Sequence, residues 1–220
     1  MSTDSNDMGL QETLNKARFA WEAKAPEAIK EIYAEGINDV IRQDVVLNAK
    51  KNGDTAPNFI LNNATGKAVE LNDYLKKGPV VLTWYRGGWC PYCNMTLHHL
   101  QEQLLNIQLK GASLLALTPE LPDKSMSTAE KHELQFEVLS DVGNAVAREY
   151  GIVFKLTDDV ADSYQKGFDL HGYNGDESDE LPLAATYVIN QNGTIIYTFL
   201  DAEYRNRAES KDILAALDSI

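Results

Sequence analysis

Apolar positions along this chain change period several times, and each change marks an element. Leu10, Leu14, Ala17, Phe19, Ala20 and Trp21 give an amphipathic helical stretch, and Ile29, Ile32 and Tyr33 give a second one after Pro26. Gly36 is expected to interrupt that helix before Ile37, Val40 and Ile41 resume the spacing. Residues 1–50 therefore predict an N-terminal helical extension, helical from residue 8, that covers the main domain or a neighbouring subunit. Turn formers crowd Lys51-Asn52-Gly53-Asp54-Thr55-Ala56-Pro57 and open a second unit, residues 51–220.

Within that unit Phe59-Ile60-Leu61 reads as a strand, residues 62–66 turn it, and Val69-Glu70-Leu71 returns. Leu71 to Lys77 predicts a short helix ending at Gly78. A central strand over 79–85 then leads into a long helix over 90–110, with Leu97, Leu100, Leu104 and Ile107 at three- and four-residue steps. Gly111 stops it, and Ala112 to Leu117 is a continuous apolar run suited to the interior of a parallel sheet. A helix over 122–134, a strand at Phe136–Leu139 and a helix over 143–150 follow. The polar, acidic stretch 156–181 is expected to be a long surface loop with one helical piece. Thr186–Ile189 and Thr194–Leu200 make a hairpin through Asn190-Gln191-Asn192-Gly193, and an amphipathic helix closes the chain over 208–219. This order predicts an α/β fold, a mixed central sheet with helices on both faces.

Charge and composition narrow the function. With 220 residues, 44% of them hydrophobic, the chain can bury one sizeable core. A net charge of −13 argues against nucleic acid and anionic membrane surfaces as partners. No apolar stretch approaches the roughly 20 residues that cross a bilayer. The start, Met-Ser-Thr-Asp-Ser-Asn-Asp, is polar and acidic rather than a secretory leader, so a cytoplasmic protein is expected. Two cysteines are too few for a disulfide scaffold, and in a reducing compartment a close pair points to redox catalysis or metal binding.

That pair is Cys90 and Cys93, in Trp84-Tyr85-Arg86-Gly87-Gly88-Trp89-Cys90-Pro91-Tyr92-Cys93. Strand, glycine turn and helix place both sulfurs at a helix N-terminus, where backbone N–H groups and the helix dipole favour a thiolate. Pro91 suits the first helical turn, Arg86 adds positive charge, and Trp89 is placed to shield the sulfurs from water. A zinc site from Cys90, Cys93, His98 and His99 is disfavoured, because a helix from Cys90 spreads them over more than two turns and different faces. His98 and His99 read as solvated or capped helix residues, with Glu102 in reach. No metal or organic cofactor is implied.

Trp89-Cys90-Pro91-Tyr92-Cys93 resembles the Trp-Cys-x-x-Cys site of thioredoxin-fold proteins. Gly53 to Leu61 and Ala185 to Gly193 are similar to the opening strand and the late strand and turn of peroxiredoxins, the alkyl hydroperoxide reductase and thiol-specific antioxidant branch of that fold. The resemblance covers roughly residues 51–220 and implies a thioredoxin-like domain. Peroxiredoxins carry Pro-x-x-x-Thr/Ser-x-x-Cys, the last residue being peroxidatic. In that register Cys93 takes the peroxidatic place, Cys90 the Thr/Ser place and Arg86 the Pro place. The family's arginine before the late strand falls near Ala184, which cannot replace it, while Arg205 and Arg207 are candidate substitutes. Pro182 lies near the position of the thioredoxin cis-proline but is displaced from it. The resemblance implies a thiol-dependent peroxidase acting on hydrogen peroxide or organic hydroperoxides. Cys93 would become a sulfenic acid, Cys90 would resolve it, and a thioredoxin-like dithiol would restore the pair. Thiol–disulfide exchange, with Cys90 as the exposed nucleophile at the helix tip, is the competing chemistry, and a redox-sensing binding protein a further alternative. The arm and exposed strand edges are compatible with a homodimer.

Overall fold

The structure, a computed structural model, describes residues 9–220. Met8 and the acidic stretch before it, on which the expectation about a leader rests, lie outside the described residues.

Seven strands form one mixed sheet in the order β2-β1-β5-β4-β3-β8-β9: β1 (Ile60–Asn63), β2 (Ala68–Glu70), β3 (Val80–Trp84), β4 (Ser113–Thr118), β5 (Glu137–Ser140), β8 (Thr186–Ile189) and β9 (Ile195–Phe199). β3, β4 and β5 run parallel; the remaining pairs are antiparallel, with Leu82 opposite Leu115 on one side and Tyr187 on the other. β3 is buried along its whole length because both faces of the sheet are covered, which is why it reads as an unbroken apolar run. Val80, Leu82 and Trp84 join the larger core. Val81 faces the opposite way, onto Leu100, Leu104 and Ile107 of α5 (Pro91–Leu109) and Ile213 and Leu217 of α10 (Ser210–Leu217). The chain is thus an α/β fold of the expected kind.

Two expectations need correction. Gly36 does not interrupt a helix: α2 runs unbroken over Glu27–Arg42. Glycine is there for space, since a Cβ would stand 2.7 Å from Val160 Cγ2 on α8 (Asp158–Phe168). The 156–181 stretch is also more than a loop with one helical piece. It holds α8, the short α9 (Leu170–Asn174) and β7 (Glu180–Pro182), which pairs antiparallel with β6 (Val153–Lys155). Its acidic composition masks an apolar stripe, for Val160, Ala161, Tyr164 and Leu170 are all buried. Pro182 sits in β7 opposite Val153, and no peptide bond among the described residues is cis.

The arm consists of α1 (Leu10–Glu22), α2 and α3 (Val45–Asn48), and it packs on the sheet domain. Leu10 and Leu14 belong to the same apolar cluster as Cys90, Cys93 and Leu97. α1 begins at Gly9, which has no side chain to cap it. The Glu209 carboxylate does so from the far end of the chain, accepting from Leu10 N–H (3.1 Å) and Gln11 N–H (2.9 Å). Gln11 completes the docking by accepting from Arg207 N–H at 2.9 Å and donating to Arg205 O at 3.3 Å. Glu209→Ala removes this cap and leaves the rest of α10 intact. It should cost about 1–2 kcal/mol in urea unfolding and open the Ala23–Ala25 turn to limited proteolysis at native pH. Unchanged protection would mean the arm is held by its apolar contacts alone.

Candidate active site

The end of β3 delivers the chain to a tight turn that only glycine allows at two consecutive positions. Gly87 has φ +156°, and a Cβ there would meet the Trp89 indole nitrogen at 2.2 Å. A Cβ on Gly88 would meet Thr128 Oγ1 at 2.2 Å. The Gly88 peptide is held from both sides: its N–H donates to Glu120 Oε1 (2.8 Å) and its carbonyl accepts from Asn94 Nδ2 (2.8 Å). α5 starts immediately afterwards, with Cys90 at the N-cap and Pro91 in the first helical position.

The structure brings the three sequence-predicted site residues together. Both thiols are free, and each is 0% exposed. The expectation that Cys90 is the exposed sulfur at the helix tip is therefore corrected: Trp89 and α1 cover the tip as well. Arg86, 3% exposed, donates from Nη2 to Cys90 Sγ (3.3 Å) and from Nη1 to the Tyr164 hydroxyl (3.0 Å). Its guanidinium lies 3.9 Å from the Tyr204 ring centroid. Of the two candidate arginines in the late loop, Arg207 reaches the site, with Nη2 3.5 Å from Cys93 Sγ. Arg205 turns away to Glu203 (2.7 and 2.6 Å) and Glu22 (3.4 Å). Trp89 stacks on Phe168 at 4.1 Å and forms part of the wall above the sulfurs.

Electrostatics split the pair. Burial pushes the Cys90 thiol up, but a hydrogen bond from Cys93 and the charges of Arg86 and Arg207 outweigh it and hold Cys90 well below the ordinary thiol range. Cys93 goes well up, through burial, through its role as donor to Cys90 and through repulsion from that neighbour. These shifts favour the negative charge on Cys90 and the proton on Cys93. His98 and His99 stand apart from the pair: His98 faces Glu102 (3.5 Å) and His99 Nε2 pairs with Ser210 Oγ (2.7 Å).

Sequence reasoning missed Glu120, Asn94, Tyr164 and Tyr204. Glu120 offered one signal, a lone acid directly after the buried strand β4. It is fully buried, and that burial lifts its carboxyl to about 7. Tyr164 and Tyr204 lie in segments with no motif.

A model of the AhpC/TSA family matches residues 52–198. Peroxiredoxin Q, chloroplastic, of Oryza sativa subsp. japonica is 27% identical over 158 residues, 72% of this chain and 63% of that protein. The thiol-disulfide oxidoreductase ResA of Bacillus thuringiensis subsp. konkukian is 29% identical over 102 residues, 46% of this chain and 58% of that protein. Each alignment thus spans less than two thirds of the relative's own length. Peroxidoxin BcpB from Mycobacterium tuberculosis shares the fold, with a TM-score of 0.61 at 22% identity over 77% of this chain and 97% of that one. No helix among the described residues is long and apolar enough to cross a membrane.

Glu120 gives the site a pH-dependent cost. Its carboxyl is neutral in folded and unfolded chains below about 4.5, but between there and about 7 only the unfolded chain releases the proton. Stability from this group is therefore lost as pH rises through about 7, by on the order of 3 kcal/mol. Glu120→Gln keeps an acceptor for Gly88 and removes the ionisation. Urea unfolding at pH 5, 6.5 and 8 should show the variant gaining on wild type steadily with pH. A difference that does not change with pH would contradict the buried-acid assignment.

Proposed function

The chain belongs to the AhpC/TSA family, and from that premise we propose that it reduces peroxides with the Cys90–Cys93 dithiol. The observation that carries this reading is a buried sulfur at a helix N-terminus with a guanidinium 3.3 Å away. The thiolate supplies the nucleophile, and the guanidinium stabilises charge that develops on peroxide oxygen. Cys90 is the first nucleophile. This reverses the roles that the family register implies, in which Cys93 attacks; the charge in this site sits on Cys90.

The Cys90 thiolate attacks one peroxide oxygen, the O–O bond breaks, and the other oxygen leaves as an alkoxide or hydroxide. Cys93, the adjacent thiol, gives up its proton to that leaving group. The new Cys93 thiolate then attacks the Cys90 sulfenic acid, displacing hydroxide and closing the disulfide. Two electrons pass from the dithiol to the peroxide, which becomes an alcohol (or water) plus the displaced hydroxide, and a solvent proton turns that hydroxide into water. A thioredoxin-like dithiol returns the electrons. Peroxide is favoured over a protein disulfide as oxidant because both sulfurs are fully buried under α1 and Trp89, out of a folded partner's reach. Closing the disulfide removes the anion between Arg86 and Arg207, which loosens the covering loop and gives the reductant its entry.

Rapid mixing of reduced protein with peroxide separates the roles. Cys90→Ser should abolish the fast oxidation. Cys93→Ser should retain at least part of it and stop at a sulfenic acid that a carbon-nucleophile trap labels. Arg86→Met should slow the first step about a hundredfold. Retention in Cys90→Ser with loss in Cys93→Ser would restore the order implied by the family register.

A further inference from the structure

Against Arg86, Pro91 and Tyr92, with neither cysteine in its lining, lies a cavity of about 400 Å³ whose walls include the aromatic residues Trp21, Tyr33, Trp89, Tyr92, Phe168 and Tyr204. Two of those six residues come from the arm, Trp21 from α1 and Tyr33 from α2, and their rings stack at 5.7 Å and 15°. Ala17 of α1 also lines it. These arm residues precede the segment that matches the family, which starts at residue 52. The arm therefore adds a wall that the family domain by itself does not supply.

Arg86 is the single charged side chain on that wall, and it faces Cys90 as well. Nη1 and Nη2 each make one hydrogen bond, to Tyr164 and Cys90, and the buried Nε makes none. Of its five N–H donors, the guanidinium thus keeps some free for an oxygen of an incoming molecule. No carboxylate lines the cavity, and Arg86 repels a cationic group there.

We propose that α1 and α2 make this site selective for uncharged hydroperoxides carrying a bulky apolar group, aryl or branched alkyl. The proposal rests on the peroxidase reading above. The peroxide oxygens lie at Arg86 and Cys90, and the apolar group fills the space between Trp21–Tyr33 and Trp89–Phe168. Volume decides between substrates. A water molecule occupies about 30 Å³ of liquid, so hydrogen peroxide would leave most of this aromatic space unfilled. A phenyl-sized group buried there contributes binding worth on the order of ten- to a hundredfold.

The test measures second-order oxidation rates of the reduced full chain with hydrogen peroxide, tert-butyl hydroperoxide and cumene hydroperoxide. Cumene hydroperoxide should react at least tenfold faster than hydrogen peroxide. In Ala17→Trp, which fills the cavity from α1, the cumene-to-hydrogen-peroxide rate ratio should fall about tenfold. Because that variant could fold poorly, a second measurement uses wild type only. The redox-inert alcohol 2-phenyl-2-propanol should quench or shift the tryptophan fluorescence saturably and slow cumene hydroperoxide competitively. Fast hydrogen peroxide reduction with no preference for cumene hydroperoxide, or no binding of the alcohol, overturns the selectivity and leaves the peroxidase reading standing. Oxidation by none of the three overturns both.

Discussion

The proposed thiolate, a sulfur anion placed where water does not reach, is the constraint around which this molecule is organised. Desolvating such a charge costs several kcal/mol unless opposite charge and hydrogen bonds surround it. Here the compensation comes from Arg86 at 3.3 Å, from the Cys93 thiol and from the N-terminus of α5. Arg207, against Cys93, adds its charge at one remove. The arginines are in turn buried and need the sulfur: Arg86 otherwise has a phenol oxygen and aromatic faces for company. Removing any one member leaves another charge stranded, so these groups stand or fall together. The glycine turn is part of the same balance, because it fixes where Arg86 and Cys90 meet, and Glu120 and Asn94 fix the turn.

The arm and the late loop belong to this balance too. Tyr204 and Arg207 reach the site from residues 201–209, and the same stretch is pinned to α1 by Glu209, Gln11 and the Arg205–Glu22 pair. An element outside the family-matching segment thereby holds the loop that carries one of the two site arginines. Its α1 packs over the sulfurs, and α1 and α2 together line the neighbouring cavity. Docking of the arm and electrostatics of the thiols are therefore linked energetically, although α1 contributes no charged group to either sulfur.

Elements governed by local pattern were legible in the sequence. β3 and β4 announced themselves as continuous apolar runs, α5 by its three- and four-residue leucine spacing, and the β8–β9 hairpin by Asn192-Gly193. The cysteine pair was legible because sulfur chemistry is rare and its spacing specific. What failed depended on distant partners. Gly36 reads as a breaker until Val160 is seen against it, and α8 reads as loop because its buried stripe is diluted by acids on the solvent face. The burial of Cys90 was invisible for the same reason: a sulfur at a helix tip is exposed unless something covers it, and besides the adjacent Trp89 the cover comes from Leu10 and Leu14 of α1, more than seventy positions earlier in the chain. Arg207 could be named as a candidate but not chosen over Arg205, since Glu203 and Glu22, which draw Arg205 away, are brought together only by the fold.

The two departures from the family motif at Arg86 and Cys90 are physically one departure. A sulfur in the place of a hydroxyl becomes a useful nucleophile only when its pKa falls, and in a buried site that requires a nearby cation. Ala184 cannot provide it, and a proline at position 86 could not either. An arginine four residues before the sulfur can, because the glycine turn folds its guanidinium back over Cys90. With the cation thus moved to the near side of the dithiol, the anion is favoured on Cys90 and the proton on Cys93. The order of attack proposed above then follows from where positive charge sits rather than from which cysteine occupies the family's peroxidatic place.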